Sequence, residues 1–184
     1  MTTDILIKEI LEATSEREVD KMIDYYVTTL HEDLSQMNVA EAKRECISGF
    51  NRMSRKDYIS NQQIQVRPGD ICYIDFGQAY INETGFQHFG LVLTLFNYKA
   101  FVVPMSSNVK QIKKAYNYPG VIDYRTHLYY IGKIEGMSRR SVLFLNDGKF
   151  INTSRVIEVK ARLSVDSKMF KEVLKIMNNV FQQV

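Results

Sequence analysis

Two short stretches of the sequence hold residues that could carry out chemistry on a phosphate group. The first, residues 82–90 (NETGFQHFG), is a polar loop that leads His88 into a very apolar run. Histidine exchanges protons near neutral pH, so His88 is a candidate general acid or base. A loop histidine that only bonds the backbone would explain the same composition.

The second stretch is residues 104–108 (PMSSN), which follow an apolar run. It places the hydroxyls of Ser106 and Ser107 beside the amide of Asn108. Preorganised hydrogen-bond donors of this kind stabilise charge that develops on phosphoryl oxygens. Serine and asparagine are equally common in turns that simply end a strand, so composition leaves both interpretations open.

A basic stretch follows, in which residues 110–140 carry seven Lys/Arg against two acidic residues, with five tyrosines interleaved. Cations along a phosphate backbone and aromatic rings on which bases stack are typical of single-stranded nucleic acid binding. A solvated basic loop with core tyrosines is the alternative. If residues 129–130 form a strand, their two tyrosines point to opposite faces. The candidate RNA-binding residues are Lys110, Lys113, Lys114, Arg125, Lys133, Arg139 and Arg140.

The hydrophobic period predicts the elements that position these residues. Residues 4–13, 15–37 and 39–53 have apolar residues at helical spacing, and the last two follow capping-box patterns at Ser15 and Asn38. From residue 66 the pattern changes to short β-rich runs separated by turns. The predicted strands are 71–76, 90–96, 100–105, 128–131, 141–145 and 155–163, with tight turns at 97–99 and 146–149.

A last amphipathic helix is predicted after residue 164, capped by Ser164 or Asp166. These elements together predict an α+β, mostly β fold: a small, closed or half-closed barrel with a C-terminal helix and an N-terminal helical extension. We place the domains at 1–62 and 63–184. Because long helices do not alternate with strands, a parallel α/β sheet is disfavoured.

The charge distribution separates the same two parts of the chain. Residues 1–64 carry 8 Lys/Arg and 12 Asp/Glu, a net of −4, whereas residues 65–184 carry 16 and 9, a net of +7. This asymmetry indicates, weakly, a polyanionic partner for the basic part. The acidic part could cover the nucleic-acid site of the basic part, bind a partner or second subunit, or simply pack.

Composition and missing motifs exclude several classes of protein. The chain is 45% hydrophobic, and no apolar run approaches the roughly 20 residues of a membrane span. The phosphate-loop, dinucleotide, zinc-protease and serine-hydrolase motifs are all absent. We expect buried Cys46 and Cys72, a solvated His31, no metal or cofactor, no membrane partner, and a cytoplasmic location.

Several motifs in this order resemble the PemK/MazF family of toxins. Residues 68–76 (PGDICYIDF) are similar to the family's opening strand, and residues 102–107 (VVPMSS) to its strand ending in Pro-x-Thr/Ser-Ser. Residues 89–93 (FGLVL) with 103–107 also resemble the ToxN/AbiQ branch. The segments 141–144 and 151–156 resemble the elements before the last helix.

This resemblance implies an SH3-like barrel that cleaves single-stranded RNA without a metal, giving a 2′,3′-cyclic phosphate. It assigns catalysis to His88, Ser106 and Ser107, and it implies an antitoxin (protein or RNA) and a homodimer. The family has Arg-Pro where this chain has His88-Phe89. That departure favours an alternative: a catalytically silent barrel that binds RNA or a protein partner.

Overall fold

The computed structural model of the chain describes residues 3–59 and 64–182, so the predicted domain boundary at 62/63 lies outside the described residues. Three helices come first: α1 (Thr3–Glu12), α2 (Glu16–Gln36) and α3 (Val39–Arg55). The chain forms two compact units, Met1–Glu45 and Cys46–Val184, which divide within α3.

Both predicted capping boxes are present. The Ser15 hydroxyl accepts from the Glu18 N–H at 3.4 Å, and the Glu18 carboxylate accepts from the Ser15 N–H at 3.0 Å. Asn38 and Glu41 exchange the same two bonds at 3.1 and 3.3 Å. Each box satisfies N–H groups that have no partner inside a helix, which explains why α2 and α3 begin where they do.

The second unit contains an antiparallel sheet flanked by two further helices, α4 (Val109–Ile112) and α5 (Lys168–Gln182). This confirms the predicted α+β fold, with N-terminal helices, an antiparallel sheet and a C-terminal helix. The strands of the described residues are β1 (Asp70–Asp75), β2 (Gln87–Phe96), β3 (Lys99–Ser106), β4 (Leu128–Gly132), β5 (Ser141–Phe144), β6 (Lys149–Asn152) and β7 (Val156–Arg162).

The strands pair in the order β4-β5-β3-β2-β1-β7, with β6 also on β3. Every pairing between these strands is antiparallel. Among the described residues, β4 and β7 are the two ends of the sheet, which is therefore open. The predicted turn after Phe96 is confirmed, because Asn97 and Tyr98 both have positive φ (48° and 66°), as a two-residue hairpin turn requires.

The hairpin predicted at residues 146–149 is wrong. β5 and β6 do not pair with each other; both pair with β3, at Met105↔Leu143 and at Val102↔Lys149. A 3₁₀ turn, Leu145–Asp147, interrupts what is otherwise one long strand alongside β3. Gly148 accordingly has an extended φ of −64° and does not use the positive φ that a hairpin would need.

The C-terminal helix packs Phe170, Val173 and Met177 into the main core, against Leu91, Val103 and Leu143 among others. The prediction for the residue that caps the start of α5 is wrong. The Ser167 hydroxyl, rather than Ser164 or Asp166, accepts from a helical N–H, that of Phe170 at 3.2 Å. Ser164 instead bonds Asp166 and Ser167 in the turn before the helix.

The two cysteines differ in environment. Cys72 is fully buried, as predicted, and burial together with the charge of Asp70 raises its pKa to about 12. Cys46 is exposed, so the prediction that it is a buried hydrophobe is wrong. His31 is exposed on α2 as expected. No helix in the described part of the chain combines the length and apolar character needed to cross a membrane.

Candidate functional site

Five strand ends meet at one end of the sheet, and both sequence-predicted chemical stretches lie there. His88, near the start of β2, is opposite Ile74 near the end of β1. Ser106, the end of β3, is opposite Val142 of β5, which is opposite Tyr130 of β4. Residues opposite one another in a sheet share a face, so these side chains form one row across it.

The ladder between β2 and β3 brings His88 and Ser106 together. Its last pair at this end is Phe89↔Met105. His88 precedes Phe89 and Ser106 follows Met105, so the next opposing positions are His88 and Ser106. Opposing Cβ atoms in an antiparallel pair lie about 5 Å apart, so the two side chains start from neighbouring backbone positions.

The hydrogen bond of His88 defines which of its nitrogens is available. Nδ1 lies 2.7 Å from the carbonyl oxygen of Gly85. A carbonyl oxygen only accepts, so Nδ1 carries the proton, and in the neutral ring Nε2 keeps its lone pair. The hydrogen bond to the Gly85 carbonyl therefore holds the ring in the tautomer that a general base requires. The backbone bond and an acid–base role, which composition left as alternatives for His88, are thus compatible.

Two sets of hydrogen bonds hold the loop before β2 in place. Phe86 donates its N–H to Gly77 at 2.6 Å and accepts from Phe76 at 2.8 Å, which closes the loop at its base. The Thr84 N–H donates to the Asp147 carboxylate at 2.6 Å, and Asp147 is ion-paired with Lys149 at 2.9 Å. These bonds fix the position of Gly85, and through it the orientation of His88.

Ser106 and Ser107 are both half-buried, but they differ in placement. The Ser106 hydroxyl accepts from the Asn108 N–H at 3.1 Å, which leaves its O–H to donate to another group. Asn108 in turn caps α4 by accepting from the Lys110 N–H at 2.9 Å. Ser107 follows the last residue of β3, so it lies outside the ladder that aligns Ser106 with His88.

A buried carboxylate that sequence reasoning missed adjoins this row. Asp75, at the end of β1, is 4% exposed and opposite Gln87. It accepts from Ser48 (2.9 Å) and Asn51 (3.0 Å) of α3, from the Gly77 N–H (3.1 Å) and from Gln87 (3.3 Å). The sequence does contain a signal for it, an acidic residue in the apolar run ICYIDF. A carboxylate in such a run is buried, and a buried charge needs hydrogen-bond partners.

The seven candidate RNA-binding cations are all exposed, and they fall into two groups. Lys110, Lys113 and Lys114 lie on α4 or directly after it, and Arg125 joins them because its N–H donates to the Lys114 carbonyl at 2.7 Å. Lys133, Arg139 and Arg140 lie on the loop between β4 and β5, at the same end of the sheet as Ser106.

The tyrosines separate into core and surface, and Tyr129 and Tyr130 point to opposite faces as predicted. Tyr129 is buried, contacts Tyr116 and donates to Glu172 of α5 at 2.9 Å. Burial, followed by the Glu172 hydrogen bond, raises the pKa of Tyr129. Tyr130 is half-buried in the His88 row and packs edge-to-face on Tyr118 at 5.0 Å.

No group of three or more His, Cys, Asp or Glu side chains that could hold a metal ion occurs within residues 3–59 and 64–182. The arrangement at this end of the sheet is a base-competent imidazole, a hydroxyl donor and an aromatic pair in one row, bordered by cations. Such groups can bind a phosphodiester and move a proton at it.

Comparison with known proteins gives structural similarity only. No family model and no curated protein matches the chain. It is similar to a MazE–MazF crystal structure from Deinococcus radiodurans (17% identity, TM-score 0.43, covering 70% of this chain and 100% of the other). It is also similar to MazF from that organism (15%, 0.47, 65% and 99%) and to the Mycobacterium tuberculosis toxin MazF-mt6 (12%, 0.41, 61% and 96%).

Proposed function

We propose that the chain is a metal-independent endoribonuclease of the toxin–antitoxin type that cleaves single-stranded RNA. The observation that carries the proposal is the strand register, which aligns His88 with Ser106 in one row. The bond from His88 Nδ1 to Gly85 supports a base role for Nε2. The motif order that resembles the PemK/MazF family supports the same chemistry.

In the proposed reaction the RNA supplies its own nucleophile. Nε2 of His88 takes the proton of a ribose 2′-OH, and the 2′-oxygen forms a bond to the adjacent phosphorus. The bond from phosphorus to the 5′-oxygen breaks, that oxygen takes a proton from water, and His88 Nε2 returns its proton to the hydroxide so formed. The products are a 2′,3′-cyclic phosphate and a 5′-OH end.

Charge stabilisation falls to donors already in place. Ser106 donates its O–H to a phosphoryl oxygen, and Ser107 and Lys110 contribute from the segment that follows β3. Donors held by the fold need no reorganisation when charge develops, which is the largest source of catalysis in many enzymes. Lys113, Lys114, Arg125, Lys133, Arg139 and Arg140 hold the RNA backbone, and the Tyr118–Tyr130 pair offers a stacking surface.

Single substitutions test the assignment. We expect His88→Ala and Ser106→Ala each to lower the rate of RNA cleavage about 100-fold or more, the typical effect of removing one acid–base or oxyanion-stabilising group. Ser107→Ala is the matched neighbour, and a loss under about 10-fold is expected because it lies outside the ladder. Thr94→Ala, exposed on β2, is the remote control. Unchanged cleavage in both the His88 and the Ser106 variants would reject this site.

The alternative function is a silent barrel that binds RNA or a protein without cutting. The observation that favours it is His88, where the resembled family has arginine. RNA that is retained but intact after incubation would select this alternative. The resemblance also adds an antitoxin partner and a homodimer to the proposal. Light scattering of the purified chain measures directly whether it is a dimer.

A further inference from the structure

A second cationic feature lies at the opposite end of β1 from His88. An open cleft of about 390 Å³ runs between the segment before β1 and the last residues of β7. Its walls include Gln65, Arg67, Asp70, Lys160 and Arg162. The cleft is open to solvent, and four of its seven lining residues are charged; the other three are Gln65, Val159 and Ala161.

A buried carboxylate organises the cations of this cleft. Asp70 is 2% exposed and holds Arg162 through Nε and Nη2 at 2.8 and 2.7 Å. Its other oxygen accepts from the Arg67 N–H at 2.7 Å. Both oxygens of Asp70 thus accept hydrogen bonds, from the Arg162 guanidinium and the Arg67 N–H. The Arg162 side chain remains half exposed to solvent.

The cleft keeps excess positive charge after its internal pairing is counted. Arg67, Lys160 and Arg162 line it against the single carboxylate of Asp70. Lys160 also pairs with Glu158 at 3.1 Å, so the three cations face two carboxylates and the group keeps a net charge of +1. The Arg67 guanidinium contacts the neutral amide of Gln65 at 3.3 Å. The cleft therefore attracts an anion.

The basic loop between β4 and β5 connects this cleft to the candidate site. A Cβ placed on Gly136 would lie 3.2 Å from the Lys160 carbonyl oxygen and 3.3 Å from the Ala161 Cβ. The loop backbone is therefore packed on β7 beside Lys160. Lys133, Arg139 and Arg140 lie on the same loop, which starts and ends at the His88 end of the sheet.

We infer that the cleft of Arg67, Lys160 and Arg162 is a second phosphate-binding subsite for the backbone of single-stranded RNA. The inference rests on the proposed function for its substrate. Ile74, opposite His88, is four residues along β1 from Asp70, about 13 Å at the rise of a strand. An RNA must therefore extend several nucleotides beyond the scissile phosphate to reach both places.

The test compares a short and a long RNA on the full chain. Arg67→Gln with Lys160→Gln removes two cleft charges, and Arg162 is kept because it holds the buried Asp70. Lys168→Gln with Lys175→Gln, both exposed on α5, removes the same charge elsewhere. Binding of a labelled dinucleotide, which has one phosphodiester, and of a 20-mer single-stranded RNA is measured in a Ser106→Ala background, so that cleavage of the probe is slow.

We expect the cleft variant to weaken 20-mer binding about fivefold or more relative to the α5 variant and to leave binding of the dinucleotide unchanged. Its slope of log K against log salt should fall by about 1.4, since each lost phosphate contact on a single strand contributes about 0.7. Equal 20-mer affinities and slopes in the two variants would overturn the inference. An equal loss for the dinucleotide would do so too.

Cleavage by chains that keep Ser106 separates this inference from the proposed function. If the dinucleotide is cut at the same rate with and without the cleft charges while 20-mer binding falls, both stand. If no RNA is cut but the cleft variant still weakens the 20-mer, the proposed function fails and the subsite stands. If RNA is cut and 20-mer binding is unchanged, the subsite alone fails. RNA that does not bind at all rejects both.

Discussion

At the scale of single residues, the molecule depends on carboxylates that are buried but fully partnered. Asp75 is surrounded by neutral donors, two of them from α3, and Asp70 by an arginine and a backbone N–H. Burying a carboxylate costs free energy unless hydrogen bonds replace its water. Removing either carboxylate therefore leaves buried donors without an acceptor.

Asp75→Ala is expected to lower the free energy of unfolding by about 3 kcal/mol, because Ser48, Asn51 and Gln87 all lose their acceptor. Urea unfolding followed by far-UV circular dichroism measures the change. Asp57→Ala, at an exposed position after α3, is the control and should change stability by less than about 0.5 kcal/mol. Equal effects in the two variants would contradict the role given to Asp75.

The two cysteines should react very differently with a thiol reagent. The exposed Cys46 is expected to be labelled within minutes at pH 8, and the buried Cys72 only after denaturation. Mass spectrometry should find one label on the native chain and none on Cys46→Ser. Two labels on the folded protein would contradict the burial of Cys72.

The Cys72 thiol also gives stability a dependence on pH. Its pKa is raised from 9.0 to about 12 on folding, so the unfolded chain loses this proton first as the pH rises. The contribution is fully present below about pH 9 and is lost as the pH approaches 12. The Cys72 thiol therefore makes the free energy of unfolding fall as the pH rises above about 9.

At the same scale, the sequence could predict some site residues and not others. His88 and Ser106 lie in strands joined by a tight turn, so each motif could be recognised locally, but the sequence did not predict that the two residues are neighbours across the sheet. Ser48 and Asp75, or Asp70 and Arg162, are separated by 27 and 92 positions. Contacts between such distant positions depend on the tertiary arrangement, which no local pattern encodes.

At the scale of elements, local rules predicted the two capping boxes and the β2–β3 turn, but they mispredicted the pairing of β5 and β6. Asp147-Gly148 is a favoured hairpin dipeptide, yet β5 and β6 run along the same neighbour, β3. The Asp147 carboxylate is used instead to hold Thr84 and Lys149. A tertiary demand on Asp147 therefore outweighs the local turn preference.

The helix α5 is held by one apolar face, which a matched pair of substitutions tests. Phe170 is 2% exposed in the main core, whereas Val180 on the same helix is 49% exposed. We expect Phe170→Ala to lower the free energy of unfolding by about 3 to 5 kcal/mol, since it opens a cavity. Val180→Ala should cost less than about 0.5 kcal/mol. Thermal or urea unfolding of both variants decides the point, and similar losses would mean that α5 is not docked through Phe170.

At the scale of the whole molecule, the two compact units are oppositely charged. Residues 1–45 carry 5 Lys/Arg and 11 Asp/Glu, a net of −6, and residues 46–184 carry 19 and 10, a net of +9. The separation is sharper than the one drawn at residue 64, because Arg52, Arg55 and Lys56 belong with the basic unit. Arg55 bonds the carbonyls of Ser154 and Val156 there.

The fold class followed from the change of hydrophobic period near residue 66, since helices and strands bury faces with different repeats. The hydrophobic pattern does not indicate where the two units divide, because α3 has the pattern of one continuous amphipathic helix. Only the tertiary bonds of Ser48, Asn51 and Arg55 assign its second half to the unit that contains the sheet.

The most direct test of the proposed activity is the chemistry of the RNA ends. Single-stranded RNA is incubated with the purified full chain in EDTA, and the fragment ends are identified by mass spectrometry. The proposal predicts fragments with 2′,3′-cyclic phosphate and 5′-OH ends, formed by the natural chain and lost in His88→Ala. Intact RNA, or fragments that carry 5′-phosphate ends, would contradict it.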